Sequence, residues 1–274
     1  MPRPQQFFKR LANKVAIVTG AGSQGEGYGT GKAIAIVLAA EGAKVCLVDQ
    51  KVERAEATRK EIEGLGGTAF ACEADVTRAT DCAAIAAATL KAYGRIDVLV
   101  NNVGIGVGGG PLEQLEESTW DRVLDVNLRS AMLMTKHTIT SLVAARGAIV
   151  NIASVAALRA YGGGVAYSAS KAGMIAMTRD VAVMYGGQGV RANVVAPGHI
   201  FTPLVEGMLD TRTRETRRKI APLAIEGDAW DVAAATLFLA SDEARFITAT
   251  CLPVDGGVVE IGPLTAHARM GEAP

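Results

Sequence analysis

Tyr167 and Lys171 stand four residues apart in the segment Val165–Tyr185. That spacing puts both on one face of a helix, a turn apart. A free phenol titrates at about pH 10 and is mostly protonated at neutral pH. An ammonium held beside it favours the phenolate and lowers that value. A tyrosine tuned in this way can take a proton from an alcohol, or give one to a carbonyl in the reverse direction. Ser154 follows the apolar run Ala148–Ile152, where its hydroxyl can hydrogen-bond the reacting oxygen. A Tyr-x-x-x-Lys pair arises easily by chance, so its meaning depends on its surroundings.

The second chemistry-bearing stretch is Gly20-Ala-Gly-Ser-Gln-Gly-Glu-Gly-Tyr-Gly-Thr-Gly31, between the strand candidate Val15–Thr19 and the helix candidate Lys32–Glu41. Glycines let the backbone turn tightly and approach a pyrophosphate, while the helix N-terminus offers unpaired N–H groups and a partial positive charge. A glycine-rich loop alone is a weak signal; its place between strand and helix strengthens it. Asp49 ends the next strand candidate, where a carboxylate accepts hydrogen bonds from both adenosine ribose hydroxyls and repels a 2′-phosphate. The expected cofactor is therefore NAD rather than NADP, although Lys51 lies nearby and a solvated strand-end aspartate is the plain alternative.

These groups need a scaffold that brings strand ends together. Strand candidates fall at Val15–Thr19, Lys44–Asp49, Thr68–Glu73, Val98–Asn101, Ala148–Ile152, Arg191–Val195 and Cys251–Val254. Helix candidates alternate with them at Lys32–Glu41, Glu53–Leu65, Ala79–Tyr93, Glu117–Ala145, Val165–Tyr185 and Asp228–Ala240. Such alternation predicts an α/β fold: a doubly wound, parallel, seven-stranded sheet of the Rossmann type. No linker or repeat breaks residues 1–274, which reads as a single domain with a core over about 12–260 and a tail over 261–274. Two stretches are irregular: the glycine-rich Val155–Gly164, and Gly198–Pro222 with its charged segment Thr211–Lys219, which reads as a flap.

Composition narrows the partners. Lys plus Arg and Asp plus Glu both number 28, so no basic excess invites nucleic acid. No apolar run reaches signal-peptide or membrane-spanning length, so no membrane partner is expected. Cys46, Cys72, Cys82 and Cys251 show no C-x-x-C spacing and read as small buried thiols of a cytoplasmic protein.

Taken with their order, the motifs resemble the short-chain dehydrogenase/reductase family, in its shorter branch, over about residues 12–260. Thr19-Gly20 through Gly29-Thr30-Gly31 is similar to the cofactor glycine motif, Asp75-Val76 to the pair holding the adenine, and Asn101-Asn102-Val103-Gly104 to the family's Asn-Asn-Ala-Gly. Asn127, Ser154, Tyr167 and Lys171 match the catalytic tetrad, with Ser and Tyr thirteen apart, and Pro197-Gly198 with Ile200 and Thr202 resembles the segment on the nicotinamide carboxamide. The resemblance implies hydride transfer between a nicotinamide and a secondary alcohol or ketone, with no metal. It makes Tyr167 the acid/base. Lys171 lowers the tyrosine pKa and holds the nicotinamide ribose. Ser154 orients the substrate oxygen, and Asn127 keeps a water that links Lys171 to solvent. Implied cofactor contacts are Gly20, Ser23, Gly29, Thr30, Asp49, Asp75, Val76, Asn102, Gly104, Tyr167, Lys171, Ile200 and Thr202. The long helices Glu117–Ala145 and Val165–Tyr185 resemble those that pair between subunits, which implies a homotetramer, with a dimer as the alternative.

Two departures stand out. Eight residues separate Gly20 from Gly29 where the family has three, with Gly25 and Gly27 as a competing register; the apolar helix pattern favours Gly29 and Gly31. Val103 replaces the usual alanine. Other residues get plainer readings: His199 as a loop histidine, Arg159 as a surface arginine, and Arg212, Arg214, Arg217, Arg218 and Lys219 as the exposed side of the flap. Ile105, Val107, Leu158, Leu204 and Met208 are candidates for pocket walls. A non-catalytic nucleotide sensor is disfavoured because all four catalytic types are kept. An epimerase or dehydratase usually carries a larger C-terminal domain, and an enoyl reductase needs a wider Tyr–Lys spacing, where Gly164 stands seven before Lys171.

Overall fold

The computed structural model describes residues 9–160, 164–207 and 209–270. Its central sheet runs β3-β2-β1-β4-β5-β6-β9, all parallel, from β1 (Val15–Thr19), β2 (Lys44–Asp49), β3 (Thr68–Glu73), β4 (Val98–Asn101), β5 (Ala148–Ile152), β6 (Arg191–Pro197) and β9 (Cys251–Val254). The expected seven-stranded, doubly wound sheet is what the chain forms. Every residue of β1, β4 and β5 is buried, as β-branched strands covered on both faces should be. One face carries α1 (Thr30–Ala40), α2 (Val52–Gly64) and α9 (Ala229–Ala240), packed through Ile34, Leu38, Ile62, Val232 and Leu237. The other carries α3 (Ala79–Tyr93), α5 (Ser130–Ala145) and α6 (Val165–Gly186), through Ile85, Met134, Leu142 and Ala182. The strand order reverses between β1 and β4, which opens a crevice at their carboxyl ends where such sheets bind ligands.

Some boundaries differ from expectation. Glu117–Ala145 is not one regular helix: α4 (Glu117–Leu124) passes through a π-helical turn, Asp125–Arg129, into α5. The extra residue per turn lets Asn127 leave the regular ladder and face the site. β6 runs on to Pro197, and the flap opens with a short parallel pair, β7 (Ile200–Phe201) on β8 (Gly227–Asp228). Within the flap lie α7 (Pro203–Glu206) and α8 (Thr211–Ile220), the latter on the segment read as charged and helical. The tail is more than an extension, since α10 (Pro263–Arg269) docks against the end of α8. Among the described residues, no helix is long and apolar enough to cross a membrane.

Candidate active site

At the carboxyl end of β1 the chain turns at Gly20, φ +63°, a value suited to glycine. A side chain on Gly31 would collide with the Gly20 carbonyl oxygen, so α1 packs as closely on the turn as a bare backbone allows. Helix α1 begins at Thr30 with Gly29 at its N-cap, which is the Gly29/Gly31 register; Gly25 and Gly27 lie in the exposed loop before it. Asn102 pins the turn from β4: its Nδ2 donates to the carbonyls of Thr19 and Gly20, both at 3.1 Å, and its N–H donates to Thr19 Oγ1 at 3.0 Å. The Asn102 side chain therefore shapes the loop from behind.

Whether a dinucleotide fits here is tested by the polar atoms left over. Ser23 Oγ is buried without a hydrogen-bond partner, close to where a Cβ on Gly29 would lie, beside the start of α1. A buried hydroxyl without a partner is costly, and an anion bound at the helix N-terminus would satisfy it. Asp49 accepts from Gly22 N–H at 3.1 Å and from Lys51 N–H at 3.0 Å, one bond per carboxylate oxygen, which leaves lone pairs on both for a diol. A Cβ on Gly22 would lie 2.7 Å from Asp49 Oδ2, so only glycine lets the carboxylate sit this close to the turn. Asp75 Oδ1 accepts from Thr77 N–H at 3.0 Å and Thr77 Oγ1 at 2.7 Å. Burial works against its ionisation, but the Thr77 and Gln50 hydrogen bonds and Arg78 outweigh it, so its pKa falls below the usual value. Val76 is buried beside it, its carbonyl accepting from Cys82 Sγ at 3.2 Å. These residues fit a dinucleotide.

The reactive groups gather at the ends of β4 and β5. Lys171, 3% exposed, donates from Nζ to the Ile152 carbonyl at 2.8 Å, and its Nζ lies 5.9 Å from the centre of the Tyr167 ring. Burial pushes its pKa down to about 8. Gly104 explains how the ammonium comes so near the β4 loop, since a Cβ there would sit 3.1 Å from Nζ and 3.4 Å from Asn127 Oδ1. Asn127 is fully buried: Oδ1 accepts from Ile105 N–H at 2.7 Å, while Nδ2 donates to the Ile105 carbonyl and to Ser170 Oγ, each at 3.0 Å. Ser170 Oγ in turn donates to the Tyr167 carbonyl at 2.7 Å. Ser154 Oγ accepts from Ala156 N–H at 3.2 Å, which leaves its own hydrogen to donate elsewhere.

Asn127, Tyr167 and Lys171 are thus linked at the carboxyl ends of the central strands, where Ser154 follows β5 and where Gly20, Ser23, Gly29 and Thr30 line the turn after β1. Ile200 and Thr202 are buried where the flap leaves β6. Val107, Leu158 and Leu204 are each more than a third exposed and Ile105 is half-buried, whereas Met208 lies outside the described residues. His199 turns away, its Nδ1 3.4 Å from the Arg217 carbonyl; burial first, then Arg217, lowers its pKa. Arg159 is exposed, and Arg214 and Arg218 pair with Glu226 and Glu215 within the flap region. Sequence reasoning passed over Ser170, although its place three residues after Tyr167, on the same helix face, is a usable signal. Thr19 was read only as the opening of the glycine motif; its bond from Asn102 N–H appears only across strands.

Comparison with known proteins agrees with this geometry. The family model described as "Enoyl-(Acyl carrier protein) reductase" matches residues 25–259. The chain is 39% identical to the 3-oxoacyl-[acyl-carrier-protein] reductase FabG of Thermotoga maritima over 251 residues, 91% of this chain and 99% of that protein. It is 37% identical to levodione reductase of Leifsonia aquatica over 258 residues, 90% of this chain and 95% of the relative. A solved structure of 7α-hydroxysteroid dehydrogenase, complexed with NADH and 7-oxo glycochenodeoxycholic acid, superposes with a TM-score of 0.84 at 32% identity, covering 91% of this chain and 95% of that one. With the parallel sheet, the glycine turn and the Tyr167–Lys171 helix in one place, the chain belongs to the short-chain dehydrogenase/reductase family, nicotinamide-dependent oxidoreductases of alcohols and ketones.

Proposed function

We propose that the chain is an NAD-dependent dehydrogenase that interconverts a secondary alcohol and a ketone, with Tyr167 as acid/base. The observation that carries this reading is the buried Lys171 ammonium beside the Tyr167 ring, at the same carboxyl end of the sheet as the glycine turn. A bound nicotinamide supplies the hydride donor or acceptor at the substrate carbon. The chain's own groups handle the oxygen. Tyr167 passes a proton to the ketone oxygen, or takes it from the alcohol. Lys171, held against the Ile152 carbonyl, stabilises the phenolate form and binds the nicotinamide ribose. Ser154 donates to the same substrate oxygen with the hydrogen that its bond to Ala156 leaves free. Asn127 locks the Ile105 loop and, through Ser170, the backbone of the catalytic turn; the remaining lone pair of Oδ1 serves the relay water that the family resemblance implies.

Asp49 supports NAD over NADP, because its carboxylate is held beside the glycine turn with lone pairs left on both oxygens, where it would accept from a ribose diol and repel a 2′-phosphate. Gly20, Ser23, Gly29 and Thr30 would hold the pyrophosphate, Asp75 and Val76 the adenine, and Ile200 and Thr202 the carboxamide, with Asn102 and Gly104 shaping the site from β4. The half-exposed apolar groups Val107, Leu158 and Leu204 favour a small to medium, largely apolar substrate. We further place the protein in the cytoplasm, on its four free thiols, and read it as a homotetramer. An open groove of about 720 Å³ between α4–α5 and α6 has an apolar floor of Leu128, Met132 and Met177 flanked by Asp121, Arg122, Asp125 and Arg129, and we read it as the pairing face. Light scattering after gel filtration would report the mass.

The test is a panel of cyclic and open-chain secondary alcohols and ketones, followed by nicotinamide absorbance with each cofactor. Turnover with NAD(H) at least tenfold above NADP(H) is expected. No turnover on any member would sink the activity, and a preference for NADP would sink the reading of Asp49.

A further inference from the structure

Helix α8 ends without a capping bond of its own, so its last carbonyls need outside donors. Arg269, in the last turn of α10, supplies them. Its Nε donates to the Lys219 carbonyl at 3.0 Å, and its Nη2 donates to the carbonyls of Ala221 at 2.9 Å and Pro222 at 3.0 Å. The negative end of the α8 dipole favours a cation there, although α8 already carries Arg212, Arg214, Arg217, Arg218 and Lys219. Other bonds at this joint stay within the flap or are longer: Ala224 N–H to the Ala221 carbonyl at 2.8 Å, Arg218 Nη1 to the Ala224 carbonyl at 2.9 Å, Leu223 N–H to the Gly256 carbonyl at 3.2 Å and His199 Nδ1 opposite the Arg217 carbonyl at 3.4 Å, with Arg214 paired to Glu226 further along α8.

The same flap reaches the site at its other end. Pro203, which opens α7, lies 3.5 Å from where a Cβ on Gly27 would stand and 3.8 Å from one on Gly25, against the enlarged glycine loop. The next residue, Leu204, is half-exposed and is one of the candidate pocket walls. We infer that Arg269 is a positioning residue: by capping α8 from the C-terminal helix it holds the flap, and with it the Leu204 wall, over the substrate site. Guanidinium geometry matters, because three carbonyls are reached from one planar fork that a lysine cannot reproduce.

The arginine-rich α8 provides its own probe, since trypsin cuts after Arg212, Arg214, Arg217, Arg218 and Lys219 once the helix opens. In Arg269→Ala, and in the chain ended after Gly262, cleavage within 211–219 read by mass spectrometry should speed up about tenfold or more, with NADH affinity within about twofold of wild type. Arg269→Lys should recover only part of the protection. The kinetic arm rests on the ketone reductase reading: KM for the best ketone of the panel should rise at least fivefold in Arg269→Ala while kcat changes less than twofold. Unchanged cleavage in both the alanine variant and the shortened chain would overturn the clamp, as would an unchanged KM. Faster cleavage in a protein that turns over no ketone would leave the clamp standing and count against the reductase reading alone.

Discussion

Around Lys171 the polar groups are closed in and accounted for: both amide hydrogens of Asn127 have acceptors, Ser170 bridges Asn127 to the Tyr167 backbone, and Lys171 is held by Ile152. Residues 24–27 are exposed and residues 203–220 of the flap are exposed or half-buried where described, with Gly25 and Gly27 at φ +112° and +99° and charges paired mostly with near neighbours. The contrast separates two tasks. Proton transfer tolerates little misplacement, and the groups proposed for it sit on strand ends and a long helix within a buried hydrogen-bonded network. Recognition of a particular cofactor and substrate is left to loops, which can be rebuilt without disturbing that network.

The sharpest way to break the contrast is Tyr167→Phe. It should cut turnover by about 10³-fold or more while leaving the NADH dissociation constant, read by fluorescence titration, within about twofold; retained turnover would remove the buried half from the chemistry. Lys171→Met should cost about 10²-fold in kcat without a matching loss of stability. The sign follows from burial. The folded Lys171 titrates at about 8, below its ordinary 10.5, so below pH 8 the folded protein carries the charge against its desolvation. That penalty, about 3 kcal/mol before the lost hydrogen bond is counted, fades as pH rises from 8 to 10.5. The variant should therefore melt at or above wild type at pH 7, with the difference shrinking toward pH 10. A variant that melts far lower at pH 7 would mean the ammonium stabilises the fold.

Gly31→Ala probes the seam between the two regions. Its methyl would strike the Gly20 carbonyl and sit 2.5 Å from Asn102 Nδ2, so a stability loss of about 2 kcal/mol in urea unfolding and a sharp drop in NADH affinity are expected. If stability falls but NADH still binds tightly, the turn is a structural corner and the anion site lies elsewhere. Asp49→Ala should have the smallest effect: the preference for NAD over NADP narrows about tenfold, near 1.4 kcal/mol, with kcat on NAD little changed.

Much of this was legible beforehand because it is encoded locally. Alternating apolar strands and amphipathic helices predict the sheet, and a four-residue spacing puts Tyr167 and Lys171 on one face wherever the helix lies. The Gly29/Gly31 register was readable from where the helical pattern starts. Other features rest on partners distant in the chain. Asn127 meets Ser170 across 43 residues and Arg269 meets Lys219 across 50, so neither pairing leaves a periodic trace. The π turn at Asp125–Arg129 was equally hidden, because the same residues would serve in a regular helix. Sequence by itself determined the main strands and helices and which candidate groups share a face, since those depend on neighbours within a turn or a strand. Only the folded packing decided how Asn127 is aimed, how deeply Lys171 is desolvated and what anchors the flap, because each depends on which surfaces the sheet brings together.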